Sequence, residues 1–598
     1  MVDTTHLKRF SKTAGIIRLP SETSLADGTG NGRPHSVDKQ SLRIVPCPDD
    51  SPPTAPREFE KDDQKLVHGL QYSEMETYDP RSAKNNPGNE PPNIWRLAAV
   101  TAGLGLSVLC LSLDNTIITT AIPRITEQFN SLGDVGWYGS AYMLTTCALT
   151  LPFGKIYTFY STKWVYLTAL MIFELGSLIC GVAPSSVGLI LGRAVAGIGA
   201  AGLYSGAILI VTQMVPLEKR PVYQGILGAM FGVASVIGPL MGGAFTDNLT
   251  WRWCFYINLP FGGVTALIIL FLFQAPKPVK GRSGARDQIS QLDLPSLALF
   301  FPAIVCLLLA LQWGGSRYAW GNARIIVLFV LFGVFIMGFV AMQGYRGDRA
   351  TVPPRLLKNR NVSCAACFAF FLLGSFYTIM YYLPIWFQAV KGVSATKSGI
   401  MSFPMVIGLV VAAMLVGFLV TTFGYYTPFM ILAPILTTIG AGLISTFDVD
   451  SGHPMWIGYQ ALLGMGVGTG IQQHMLVYQT VLGPIDVPTA TAIGMFLQTL
   501  GGAIFVSVSQ SVFSNQLRSG LKSLAPGADA EKVIAAGATM LREAVTKADL
   551  PGVLQAYSDA ITQTFYISVA TAAIAFFVAL PVQWISVKGR RMESGGHA

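Results

Sequence analysis

The stretch GVASVIGPLMGG, Gly232 to Gly243, lies inside an apolar run that begins near Gln224. Gly232, Ser235, Pro239 and Gly242 recur at helical spacing, so one face of this helix is nearly bare of side chains. Small residues let a second helix backbone approach closely within lipid. The Gly238-Pro239 pair adds a fixed φ and a missing donor, which predicts a bend there. A flat face and a bend in one apolar helix point to two helices that rock against each other. That is carrier behaviour rather than enzyme behaviour, with ordinary close packing of a membrane helix as the alternative.

Composition agrees. Of 598 residues, 52% are hydrophobic and only 12% charged, and the mean hydropathy is +0.50. Soluble domains carry roughly 25% charged residues. The net charge of +9 is read as the basic bias of membrane loops, with no call for nucleic acid. The eight cysteines are scattered and imply no disulfide framework. Cys364 and Cys367 form a C-x-x-C pair, but no second pair or nearby His accompanies it.

Residues 1–93 are rich in Pro, Ser, Asp and Lys and read as a disordered cytoplasmic tail. From Leu97 onward fourteen spans are expected, near 97–122, 135–155, 164–183, 187–213, 224–245, 254–274, 294–313, 324–344, 363–388, 398–420, 426–446, 455–478, 488–511 and 561–585. The fold class is therefore an all-α membrane protein with 14 transmembrane helices. Lys155, Lys163, Lys219, Arg220, the basic cluster at 277–286 and Arg346 to Arg360 fall on one side, with Lys588, Arg590 and Arg591. That bias puts both termini in the cytoplasm. One long external loop, 515–560, contains a stretch from Ala528 to Val545 that reads as an amphipathic helix on the membrane surface. Asn248-Leu249-Thr250 is a possible glycosylation site, hard against the membrane.

An ionisable group inside a span is costly, and so is a functional candidate. Asp114, Glu174 and Arg193 lie in the first, third and fourth spans. A carboxylate at membrane depth is protonated or paired, which is the property a proton-coupled carrier needs. A static Asp–Arg pair holding two helices together is the alternative. Gln472, Gln473, His474 and Gln498, with Tyr382 and Gln388, are expected to line an apolar and aromatic cavity with a few amides, Glu174 joining them as a candidate. For any single glutamine, an amide hydrogen bond between helices is the competing reading. The sequence has no Walker A pattern, no HExxH and no GxSxG.

These residues resemble the major facilitator superfamily, in particular its fourteen-span drug:proton antiporter branch. Gly232–Gly243 is similar to that branch's antiporter motif, in which Gly232, Gly238, Pro239, Gly242 and Gly243 are the marked positions. LDNTIITTAIPRI resembles its first-helix motif, which implies a proton-coupling role for Asp114. LGRAVAGIGAAG is similar to the motif whose basic residue is Arg193 here, with Ala196 at the usual Gln. TWRWCFYINLPFGG matches the sixth-span signature. The loop GKIYTFYSTK departs from the family pattern: Thr158 stands at the place of an acid and Ser161 at that of a glycine. This variant, with YYLPIWFQAVKGVSATKSGI and LQWGGSRYAW, is similar to the fungal toxin and multidrug exporters.

The resemblance, over roughly 95–590, implies two six-helix halves (94–274 and 351–587) and an inserted pair of helices within 275–350, with 588–598 as a cytoplasmic tail. It further implies a monomer in membrane lipid that exchanges protons for a hydrophobic small molecule. The proton gradient is the energy source and no cofactor is needed. The expected location is the plasma membrane. A vacuolar or plasma-membrane carrier of basic amino acids or iron chelates is the alternative on the same fold.

Overall fold

The computed structural model describes residues 94–129, 131, 134–275, 293–315, 318–530, 532–534, 541–542 and 545–588. The expected tail at 1–93 and the whole 277–286 cluster lie outside the described residues. The rest is helical: α1 Ile94–Phe129, α2 Val135–Phe159, α3 Thr162–Val182, α4 Ser186–Met214, α5 Arg220–Asn248, α6 Trp253–Tyr256, α7 Asn258–Leu272, α8 Leu294–Trp313, α9 Ala323–Arg346, α10 Pro354–Lys358, α11 Arg360–Ala389, α12 Ala395–Met401, α13 Phe403–Phe423, α14 Thr427–Ile444, α15 His453–Gly470, α16 Gln473–Val481, α17 Val487–Leu524 and α18 Leu550–Ala579. Among the described residues there is no strand, only two isolated bridges, Gly314 with Tyr318 and Tyr425 with Ser586.

Twelve of the described helical stretches are long and apolar enough to cross a membrane. Two further stretches, Val135–Phe159 and the interrupted 453–481, fall outside that set. The starts are written in the sequence. Ser185, Asn322, Asn359 and Ser394 accept hydrogen bonds from backbone N–H groups of their first turns. Pro221, Pro295, Pro404, Pro428, Pro454, Pro488 and Pro551 occupy first turns, where a missing N–H costs nothing. Gly424, at φ +88°, ends α13 in a left-handed conformation.

Three expectations are corrected. The thirteenth helix does not stop at 511 but runs to Leu524, and the last begins at Leu550 rather than 561. The connection between them is therefore shorter than 515–560, because both helices continue past those bounds; the 38 residues of α17 make about 57 Å. Part of the 528–545 stretch lies outside the described residues, but Val533 and Leu541 are buried in the protein core instead of facing a membrane surface. Arg542 ties the stretch down by donating to the Val390 carbonyl at 3.1 Å. Finally, the span at 455–478 is broken at Ile471–Gln472, after a run in which Gly464, Gly466, Gly468 and Gly470 weaken the helix.

Packing pairs α1 with α5 and α7, α2 with α4, and α3 with α4. Further along the chain, α11 packs on α17 and α18, α13 on α15, and α14 on α15 and α18. The two groups meet where α5 crosses α13 and α2 crosses α17. Helix α8 bridges them: Trp313 meets Trp137 of α2 edge-on at 6.1 Å, and Phe300 meets Phe496 of α17 at 5.2 Å. Its partner α9 is the least buried of the twelve apolar helices. The foot of this pair is stapled by Asp293, which accepts from the Thr351 N–H at 2.8 Å and pairs with Arg346 at 3.1 Å.

Candidate functional site

Asp114 on α1 and Arg193 on α4 are both 0% exposed and form a direct ion pair through Oδ2 and Nη1. Lipid-facing hydrocarbon cannot solvate either charge, so each must find its counterion within the bundle. Arg193 is fixed by three more contacts. Its Nε donates to the Tyr138 carbonyl at 2.7 Å, Nη1 also reaches the Asp114 carbonyl at 3.5 Å, and the guanidinium lies 4.4 Å over the Tyr142 ring. On the other side, Asn258 at the start of α7 donates to Asp114 Oδ1 at 3.3 Å and to Ser177 Oγ at 3.2 Å. One carboxylate thereby ties α4 and α7 to α1, and Asn258 carries the link on to α3. The network is not saturated: Arg193 Nη2 and Asn258 Oδ1 are buried without a partner.

The antiporter-like stretch abuts this site. A Cβ on Gly238 would lie 2.8 Å from Thr116 Cβ, and one on Gly242 would lie 2.6 Å from the Ile117 carbonyl oxygen. Thr116 closes the contact by donating to the Ala234 carbonyl at 3.2 Å. Gly238 and Gly242 thus let α1 lie directly on α5, two residues beyond Asp114. Gly232 points elsewhere, with its Cβ position 2.6 Å from Val410 of α13. The one bare face expected from the spacing is therefore two faces. Pro239 is half-buried within a helix that continues to Asn248, and a Cβ on Gly243 would meet only Thr396 Oγ1 at 4.0 Å. Asn248 is exposed at the end of α5 and donates to the Ala244 carbonyl at 3.0 Å.

The proposed cavity residues have different partners. Gln472, at the break between α15 and α16, donates to the Tyr204 hydroxyl of α4 at 2.8 Å, a bond between the two helix groups. Gln473 donates back to the Thr469 carbonyl at 3.1 Å. His474 is 1% exposed with both ring nitrogens unpartnered, edge-on to Tyr478 at 6.0 Å. Tyr382 is buried and donates to Gln510 at 2.8 Å. Gln388 and Gln498 are half-buried. The glycine faces of α15 are filled by neighbouring helices instead of lining a cavity: Gly464 and Gly468 by α13, Gly466 by α14. Glu174 sits 9% exposed beside Gly262 of α7.

At the opposite end, α2 meets α17. Thr158, which stands where the family pattern has an acid, donates to its own Gly154 carbonyl at 3.0 Å and lies 3.5 Å from Thr489 Oγ1. Charge here comes from elsewhere: Arg355 donates to both carboxylate oxygens of Asp486 at 2.7 and 2.6 Å and pairs with Asp348 at 2.9 Å. These hydrogen bonds hold the Arg355 guanidinium above its ordinary value. A small cavity of about 70 Å³ lies among Lys155, Thr158, Asp348, Arg355 and Asp486. Asn258, Ser177 and Tyr138 were not singled out from sequence, although an Asn opening an otherwise apolar span is a legible signal. Tyr204 and Gln510 gave none. Among the described residues no group of three or more His, Cys, Asp or Glu is placed to hold a metal.

The sequence pattern of the Major Facilitator Superfamily matches residues 104–506. The chain is 54% identical over 574 residues to the MFS-type transporter astH of Aspergillus oryzae, covering 96% of this chain and 100% of that one. It is 56% identical over 499 residues to the efflux pump roqT of Penicillium rubens, covering 83% and 93%. Among solved structures, the human organic anion transporter MFSD10 (TETRAN) superposes with a TM-score of 0.54 at 15% identity, over 81% of this chain and 99% of that chain, a likeness of fold alone.

Proposed function

The chain belongs to the major facilitator superfamily, a family of transporters and not of enzymes, and from that premise we propose that it exports a hydrophobic small molecule in exchange for protons. The observation that carries this reading is the fully buried Asp114–Arg193 pair, held against the close α1–α5 contact. An ion pair of this depth does not stabilise by itself; a hydrophobic replacement is often as good. A carboxylate that is paired in one arrangement of helices and separated in another binds a proton in the second and releases it in the first. Gly238 and Gly242 allow that rearrangement, since bare backbones slide where side chains interlock. The names of roqT and similar fungal relatives, which are efflux pumps, favour export. A secondary metabolite or drug as substrate follows from the sequence resemblance to fungal toxin and multidrug exporters.

In this reading the twelve apolar helices, α2 and the interrupted 453–481 stretch make fourteen spans. Residues 94–274 and 351–587 form two six-helix halves around a central path, with α8 and α9 as the inserted pair. The chain is a plasma-membrane monomer with both termini in the cytoplasm. Gln472, Gln473, His474, Gln388, Gln498 and Tyr382 then contribute polar points along an aromatic path.

The test is efflux from proteoliposomes with and without an imposed pH step. Asp114→Asn removes the negative charge and keeps the shape, so it should exchange substrate downhill but fail to drive it uphill. Arg193→Lys should keep some coupling and Arg193→Ala almost none. Uphill efflux by Asp114→Asn at the wild-type rate would dismiss Asp114 as the required proton carrier.

A further inference from the structure

The mechanism above uses one of the two buried acids among the described residues of the N-terminal helix group and leaves the other unexplained. Glu174, in the middle of α3, is 9% exposed, and both its carboxylate oxygens are buried without a hydrogen-bond partner. None of the salt bridges among the described residues includes it. The space it occupies is made for it. A Cβ on Gly262 of α7 would lie 2.9 Å from Glu174 Cγ and closer still to the carboxyl itself, so the glycine is the wall of a carboxyl-sized niche.

The niche belongs to the Asp114 cluster. Glu174 stands one helical turn from Ser177, whose hydroxyl shares the Asn258 amide with Asp114. Asp114 and Glu174 lie within electrostatic reach of each other, and Cys110 of α1 lies within reach of both. The other titratable groups around the cluster are Cys180 on α3 itself, Tyr142 of α2, Arg193 of α4, and Cys254 and Tyr256 of α6. Arg193 is the cation paired here, and Asp114 is its partner. The one guanidinium of the cluster is therefore taken by Asp114, and Glu174 is left without a cation. An unpaired carboxylate without hydrogen-bond donors in apolar surroundings takes up a proton.

We propose that Glu174 is a second proton-binding residue of this transporter, neutral while Asp114 is paired with Arg193 and able to release its proton when the cluster opens. This rests on the proton-coupled reading and deepens it: the two acids and one cation can load one proton more than Asp114 alone. With two protons exchanged for each neutral substrate, a one-unit pH step supports a concentration ratio of about a hundredfold; with one, about tenfold.

The experiment is infrared difference spectroscopy of the full chain reconstituted in lipid, following the carbonyl-stretch band of protonated carboxylic acids. No substrate is needed. At neutral pH the wild type should show such a band that is missing in Glu174→Gln, fades as the pH is raised, and titrates at lower pH in Asp114→Asn, where Arg193 has lost its partner. Should Glu174→Gln fail to fold, protein carrying carbon-13 glutamate gives the same assignment, because the glutamate band shifts and any aspartate band does not. Absence of a protonated glutamate at neutral pH overturns the proposal. A band that never titrates below the pH of unfolding overturns it too, because a permanently neutral acid carries no proton. Failure of the coupled reading would look different: Asp114→Asn would pump normally while the Glu174 band titrated as described.

Discussion

Replacing Gly242 with alanine adds one methyl group at the contact between α1 and α5. Its Cβ would lie 2.6 Å from the Ile117 carbonyl oxygen and 2.9 Å from Ile117 Cγ1, about 0.8 Å short of ordinary 3.4 Å contact for the first. Ile117 is buried on a helix held from its other side by the Asp114 network, so neither backbone can yield freely. Overpacking of this kind costs about 1–3 kcal/mol. Removing a glycine from a helix returns about 0.5–1 kcal/mol, which only partly offsets it. The neighbouring Gly243 is the internal control, because its Cβ would meet nothing nearer than 4.0 Å and Gly243→Ala keeps the helix gain without the clash. The two alanine variants should therefore move in opposite directions. Purified in the same detergent, Gly242→Ala should melt below wild type and Gly243→Ala at or above it. In proteoliposomes a residual bias between conformations of up to about 2.5 kcal/mol would shift their balance by up to about 70-fold and slow transport of Gly242→Ala accordingly. Equal melting and transport by both variants would refute the view that α1 bears on the Gly242 face.

Two further outcomes are expected. Arg355 is half-exposed, so Arg355→Ala should cost only about 0.2–1 kcal/mol, whereas Arg355→Asp sets like charges against Asp486 and Asp348. The double swap Arg355→Asp with Asp486→Arg should restore thermal stability, with a difference that shrinks at high salt; no recovery would mean the pair is incidental. Tyr204→Phe leaves the Gln472 amide buried without its 2.8 Å acceptor, at about 1–3 kcal/mol. In a double-mutant cycle Gln472→Leu should cost far less when Tyr204 is already Phe; additive losses would show that the two do not interact.

Much of the helix layout was legible, because lipid imposes a length and an apolar composition that a single sequence displays. Asp114 and Arg193 stood out by the same logic: charge in a 20-residue apolar run has to be explained. What the sequence hid was direction. Spacing placed Gly232 and Gly242 on one face, but a helix gripped by two neighbours uses both sides, and only the packing shows that Gly232 serves α13 while Gly242 serves α1. The glycines of α15 misled in the same way, since a bare face looks alike whether it borders a cavity or a helix. Helix ends beyond the membrane were also illegible. Residues 512–524 and 550–560 are polar enough to read as loop, yet they continue α17 and α18 because each helix has a partner to pack on.

Helix α8 also fills one of the two seams between the helix groups. By reaching Trp137 on one flank and Phe496 on the other, it stands like a gasket over the joint between α2 and α17. The joint on the far side is shut by contact alone: a Cβ on Gly225 would meet the Ala413 carbonyl at 2.8 Å, and one on Gly417 the Pro221 carbonyl at 2.7 Å. Both seams between the two helix groups are thus filled by protein, and on the export reading a compound dissolved among the acyl chains would find neither open to it.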